Sequence, residues 1–172
     1  MIPRENKKII HKLMKIYGKD KTVHRGKKHR YLGMDMDWSV KGQLMIDMLE
    51  YNKETVSIWP EPLEKPVKTL EGEHLLKVNV ECVKLEEKRA RLFHTLTARN
   101  LFASKRARGD ILPTTAFFTK RVKEPDKEDW KKLGRCLQYL KYTVNDVLIL
   151  SADNIRVVKW WVDGSYACHE YC

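Results

Sequence analysis

Two carboxylates in alternating positions are the first residues of this chain with a chemistry in view. Asp35 and Asp37 stand in Arg30-Tyr31-Leu32-Gly33-Met34-Asp35-Met36-Asp37-Trp38. On one extended strand that spacing puts both side chains on the same face, where hard oxygen ligands could hold a divalent cation. The same alternation puts Leu32, Met34, Met36 and Trp38 on the opposite face and Tyr31 and Gly33 beside the carboxylates. The simpler reading is a half-buried strand whose aspartates form the solvated side, because no third oxygen ligand is close in sequence. Asp163 ends an apolar run (Val157, Val158, Trp160, Trp161, Val162) and is followed by Gly164-Ser165-Tyr166. That is how a two-metal nuclease sheet offers its first ligand, although one carboxylate cannot hold two metals.

Cys168-His169-Glu170-Tyr171-Cys172 carries the ligand types of a zinc half-site, but a closed site needs four ligands and the other Cys and His residues show no paired spacing. His11, His24, His29, His74 and His94 read as polar surface residues, and no serine or cysteine is placed as a nucleophile. Cys82, Cys136, Cys168 and Cys172 have no repeating interval, which predicts thiols in a reducing compartment, the cytoplasm or nucleus. No stretch reaches transmembrane length, so no membrane partner is expected. The charge balance points elsewhere: 34 Lys+Arg against 23 Asp+Glu gives +11 and favours a polyanion, nucleic acid foremost, although excess lysine also serves solubility.

The elements that must position these residues follow from periodicity. Residues 5–17 place Ile9, Ile10, Leu13, Met14, Ile16 and Tyr17 on one arc and lysines opposite, with Gly18 as the stop. The strand through 30–38, a turn at Ser39-Val40-Lys41-Gly42 and a strand at Leu44 and Ile46 predict a β-hairpin. A helix is expected over 47–58, ended by Pro60, Pro62 and Pro66, which open a long loop or linker to about residue 84. A two-sided helix is predicted over 85–107, and another begins at Pro113. Asp126 reads as the cap of a helix striped by Trp130, Leu133, Cys136, Leu137 and Leu140. Two terminal strands, 147–150 and 155–163, follow. The fold class is α+β, partitioned as 1–59, 60–84, 85–145 and 146–172.

Taken in order, these pieces resemble a known family. Tyr31-Leu32-Gly33-Met34-Asp35-Met36-Asp37 resembles the primer-grip hairpin of copia-type retrotransposon reverse transcriptases. The run from Phe93 ending Ser104-Lys105-Arg106-Ala107-Arg108-Gly109-Asp110-Ile111 is similar to the helix after their linker, with Gly109 where those relatives commonly carry proline. Thr119-Lys120-Arg121-Val122-Lys123-Glu124-Pro125, Asp129-Trp130-Lys131-Lys132-Leu133 and Tyr139-Leu140-Lys141 resemble the next helical pair. Lys159 to Ala167 resembles the first strand of the adjoining ribonuclease H domain.

The resemblance implies the end of a polymerase palm at 1–59, a linker at 60–84, a helical thumb or connection region at 85–145 and the start of a ribonuclease H-like sheet at 146–172. It implies a segment between two active sites, inactive as a separate chain, that positions a template-primer duplex (RNA–DNA or DNA) beside the rest of a retroelement polyprotein. Tyr31, Leu32, Gly33 and Met34 would press on the primer, with Gly33 allowing close approach. Lys105, Arg106, Arg108, Lys131, Lys132 and Arg135 would contact phosphates. Asp163 would be the first ribonuclease H carboxylate and a metal ligand only in an intact domain. No cofactor is expected in this chain; magnesium belongs to the intact enzyme. The alternative is a stand-alone basic nucleic-acid-binding module without catalysis.

Overall fold

The computed structural model describes residues 4–18, 26–70 and 75–151, with the backbone alone for 4–7. Asp163, the expected strand 155–163 and the Cys168–Cys172 pair lie outside the described residues. The fold is α+β. Helix α1 (Arg4–Tyr17) has the predicted two-sided character, and both sides meet solvent: Lys8, Lys12 and Lys15 on one, Ile9, Leu13 and Ile16 on the other.

The strand expected through residues 30–38 is two strands. β1 (Lys28–Tyr31) and β2 (Met34–Asp37) are antiparallel around Leu32-Gly33, with Tyr31 opposite Met34 and Lys28 opposite Asp37. Leu32 and Gly33 both have positive φ, 49° and 75°, as two-residue hairpin loops require to match the twist of their strands. β3 (Gln43–Asp47) pairs antiparallel with β2, and β4 (Leu148–Ser151) pairs antiparallel with β3, giving a sheet of order β1-β2-β3-β4. The first of the expected terminal strands thus joins the sheet of the hairpin. Its Leu148 and Leu150 lie opposite Ile46 and Leu44, and that register matches its apolar face to the one β3 already presents.

One sheet face carries Met34, Met36, Leu44, Ile46 and Leu148, which pack on Met48, Phe102, Ala103 and Ala107. The other mixes ion pairs with exposed Met45 and Ile149: Lys28 pairs with Asp37 at 3.3 Å and Arg30 with Asp35 at 3.6 Å, so both aspartates have cross-strand cations. β3 runs almost directly into α2 (Leu49–Ser57), the joint being held by the Asp47 carboxylate, which accepts from Leu49 N at 2.7 Å. Then come α3 (Glu87–Ser104), a 3-10 turn (Gly109–Ile111), α4 (Leu112–Arg121) with proline in its first turn, and α5 (Lys127–Tyr142).

α5 is the post of the helical half. Asp126 caps it, accepting from Glu128 N and Asp129 N, while Asp129 returns a bond to Asp126 N. Its stripe of Trp130, Leu133, Cys136, Leu137 and Leu140 is buried against Phe93, Leu96, Phe117 and Phe118. Each fully buried side chain of this kind stabilises the fold by about 1.5–3 kcal/mol. Arg121 locks α4 to the start of α5, with Nη2 at 2.9 Å from Asp126 and Nε at 2.9 Å from Asp129. Trp59, just after α2, stacks on Trp130 with centroids 4.2 Å apart.

Gly134 makes that stacking possible, because a Cβ there would sit 2.9 Å from Trp59 Cζ2. Gly134→Ala gains helix propensity but overpacks this contact, and the overpacking dominates. The expected outcome is a loss of about 1–2 kcal/mol in chemical denaturation; a more stable variant would show that Trp59 does not rest on α5.

Candidate nucleic-acid interface

The β1–β2 loop projects its side chains while its backbone is seated. Tyr31 and Leu32 are 60% and 56% exposed. Leu32 holds left-handed backbone, which costs a residue with a Cβ about 1–2 kcal/mol. Gly33 lies on the α2 side chain Tyr51, whose Cδ2 would be 3.4 Å from a Cβ at that position. A Cβ at 33 would touch Tyr51 in ordinary contact, so the cost of a larger residue there is the left-handed backbone at φ 75°.

Tyr51 in turn is held by α3. Its ring lies 5.1 Å from that of Phe102, Arg99 sits over its face at 4.6 Å, and its hydroxyl donates to Arg99 O at 3.4 Å. Burial pushes the phenol's pKa up, which keeps it a neutral donor. Arg99 is fixed by Thr55 Oγ1 at 2.9 Å and Glu54 at 3.1 Å. Arg106 covers Phe102 with its Cζ 3.5 Å from the centroid and donates to Phe102 O at 3.2 Å. A guanidinium has five N–H donors, more than that carbonyl takes up. Lys105 beside it is exposed. The chain of contacts Gly33–Tyr51–Phe102–Arg106 thus joins the hairpin loop to the basic end of α3.

The other expected phosphate contacts are elsewhere. Arg108 is 1% exposed and internal: Nε and Nη2 bind the Asp110 carboxylate at 3.0 and 2.7 Å, while Nη1 and Nη2 bind Thr143 O and Oγ1 at 2.9 and 2.6 Å. It ties the start of the 3-10 turn to the end of α5 and has no route to a phosphate. Lys132 and Arg135 hold the proline-rich loop: Lys132 Nζ donates to Lys77 O at 2.5 Å and Arg135 Nη2 to Thr69 Oγ1 at 3.0 Å. Gln138, Lys141 and Tyr142 continue the row, donating to Lys65 O, Leu63 O and Glu64 O. The expected linker is, in its described part, a strap along α5, and the basic face of that helix is its fastening. Lys131 is exposed on the same helix.

The structure links the Tyr31–Met34 loop to Arg106 through Tyr51 and Phe102, and Lys105 is the exposed sequence neighbour of Arg106. It removes Arg108 from the surface and puts Lys132 and Arg135 on the strap, with Lys131 exposed on the same helix. Tyr51 and Arg99 were not singled out by the sequence reading. Asp35 and Asp37 take Arg30 and Lys28 as partners, and among the described residues no three metal-donor side chains gather. No described helix is long and apolar enough to cross a membrane. Comparison with protein-family models, with curated proteins and with solved structures finds no match to this chain.

The Arg108–Asp110 pair has a pH signature. Burial works to raise the Asp110 pKa, but the bonds and charge of Arg108 outweigh it, and the carboxyl lies below its ordinary 3.8. Its stabilising contribution is accordingly complete above the unfolded value and is lost as pH falls through the folded one. Asp110→Asn should cost about 1.5–3 kcal/mol at neutral pH, and the gap from the parent chain should narrow below about pH 4. A gap constant from pH 7 to pH 3 in urea denaturation would contradict the pairing.

Proposed function

We propose that this chain positions a nucleic-acid duplex, an RNA–DNA template-primer foremost, as the segment of a copia-type reverse transcriptase between its polymerase and ribonuclease H centres. The observation that carries the reading is the exposed Tyr31–Leu32 pair on a strained loop, seated on Tyr51 and joined through Phe102 to Arg106. Left-handed backbone at an exposed leucine is a feature stability alone would not select, and such strain collects where a ligand is met. The loop offers an apolar and aromatic ridge to the sugar edge of a strand; Arg106 and Lys105 supply phosphate contacts that orient a duplex without reading its sequence. In this reading the chain contributes alignment, and the phosphoryl-transfer carboxylates and their magnesium belong to other parts of the polyprotein.

A second reading, a basic binding module acting alone, is favoured by one observation: β4 closes onto β3, so residues 28–151 share a single sheet and the helices packed on it. A single cooperative unfolding transition, with duplex affinity that falls steeply with salt, would support it.

Leu32→Asn separates stability from binding, since asparagine tolerates left-handed backbone. The variant should be about 1 kcal/mol more stable, a melting point about 2–4 °C higher. Its affinity for an RNA–DNA duplex should drop several-fold in fluorescence anisotropy. Arg106→Ala should lower the dependence of log K on log salt by about one, and Arg135→Ala should leave it unchanged. Equal salt slopes for the parent chain and Arg106→Ala would sink the proposal.

A further inference from the structure

We propose a second nucleic-acid site, for a single strand, in the groove at the end of the sheet away from the Leu32–Gly33 loop. It does not depend on the loop holding a duplex. The groove has a volume of about 720 Å³ and is lined by Lys27, Trp38, Val40, Lys41 and Leu150 among others. Trp38 is 40% exposed there, which leaves much of a large ring open to solvent. It is nonetheless fixed in place: its backbone N donates to Lys27 O at 2.8 Å, and the His29 ring meets it edge-on at 5.5 Å and 73°. An indole held in this way is a stacking platform, and every nucleobase has a π face to lay on it.

The charges select the occupant. Lys27 and Lys41 line the groove and, among the described residues, no carboxylate does, so the rim suits an anion. Val40, Leu44 and Leu150 make much of the remaining wall apolar, beside Ser39, Gln43 and Ser151, which suits a base and its sugar better than the polar side chains of an acidic peptide. A base of an unpaired strand would stack on Trp38 with its flanking phosphates at Lys27 and Lys41. A paired base, stacked within its own helix, has no free face to offer. The site therefore takes single strands in preference to blunt duplex, and it tolerates sequence because it reads no base edge.

The test is anisotropy with the full chain, using labelled poly-dT and a labelled blunt duplex as probes. Trp38→Leu keeps the apolar volume and removes the aromatic face; it should weaken poly-dT binding about tenfold and leave the duplex unchanged. Trp38→Phe should retain most of the affinity, and Lys27→Gln with Lys41→Gln should reduce both poly-dT affinity and its salt slope. Melting curves of each variant within a few degrees of the parent would confirm that the fold is kept. Three results would overturn the site: poly-dT affinity unchanged in Trp38→Leu, equal losses for poly-dT and duplex, or displacement of poly-dT from the parent chain by poly-glutamate as readily as by unlabelled poly-dT. Failure of Leu32→Asn to alter duplex binding would bear on the loop alone.

Discussion

The contact of Gly33 with the Tyr51 ring is where the sheet and the helices are brought into register. Asp47 ends β3 and fastens the first turn of α2, so Tyr51 emerges directly beneath the hairpin loop. Gly33 is required there by its backbone and not by space, and its φ of 75° gives the loop the twist that lets Met34 and Met36 face Ile46 and Ala103. On the far side Tyr51 is clamped by Phe102 and Arg99 of α3. The position of an exposed, strained leucine is thus set by half-buried aromatic packing. That is how a rigid scaffold commonly presents a binding loop.

Positive charge in this chain is partly structural. Arg108, Arg121, Lys132, Arg135 and Lys141 are engaged with a part-exposed carboxylate, a helix cap or loop oxygens, and each bond joins segments of the helical half. A row of donors on α5 satisfies carbonyls of a proline-containing loop that has no strand partner along most of its length. The overall +11 therefore overstates the charge available to a polyanion. What remains at the proposed surfaces is Lys105 and Arg106 beside the loop and Lys27 and Lys41 around Trp38.

Elements with local signals were legible. The α5 stripe and its Asp126 cap, and the proline at the start of α4, were readable because cap, period and terminus agree within a few residues. The Leu32–Gly33 turn was not, because Met34, Met36 and Trp38 continue a period-two pattern that a single long strand would also give. Arg30 and Tyr31 betray the reversal, Arg30 by facing with Asp35 and Tyr31 by facing with Met34. Arg108 looked like a surface cation because it follows two others; its ion partner Asp110 is only two residues away, but Thr143, which accepts its remaining bonds, is remote in sequence, and no local pattern announces that the guanidinium is buried. The same holds for the strap, whose fastenings join residues 63–77 to residues 132–142.

The central claim is that the Leu32 side chain touches bound nucleic acid, and photo-crosslinking measures that contact itself. With a photoreactive amino acid in place of Leu32, irradiation in the presence of an RNA–DNA duplex should label one strand, at a position a fixed distance from the primer end. The same group in place of Ile149, exposed on the ion-paired side of the sheet, should label neither strand. Equal labelling from the two positions, or none from position 32 under conditions where the duplex is bound, would contradict the account.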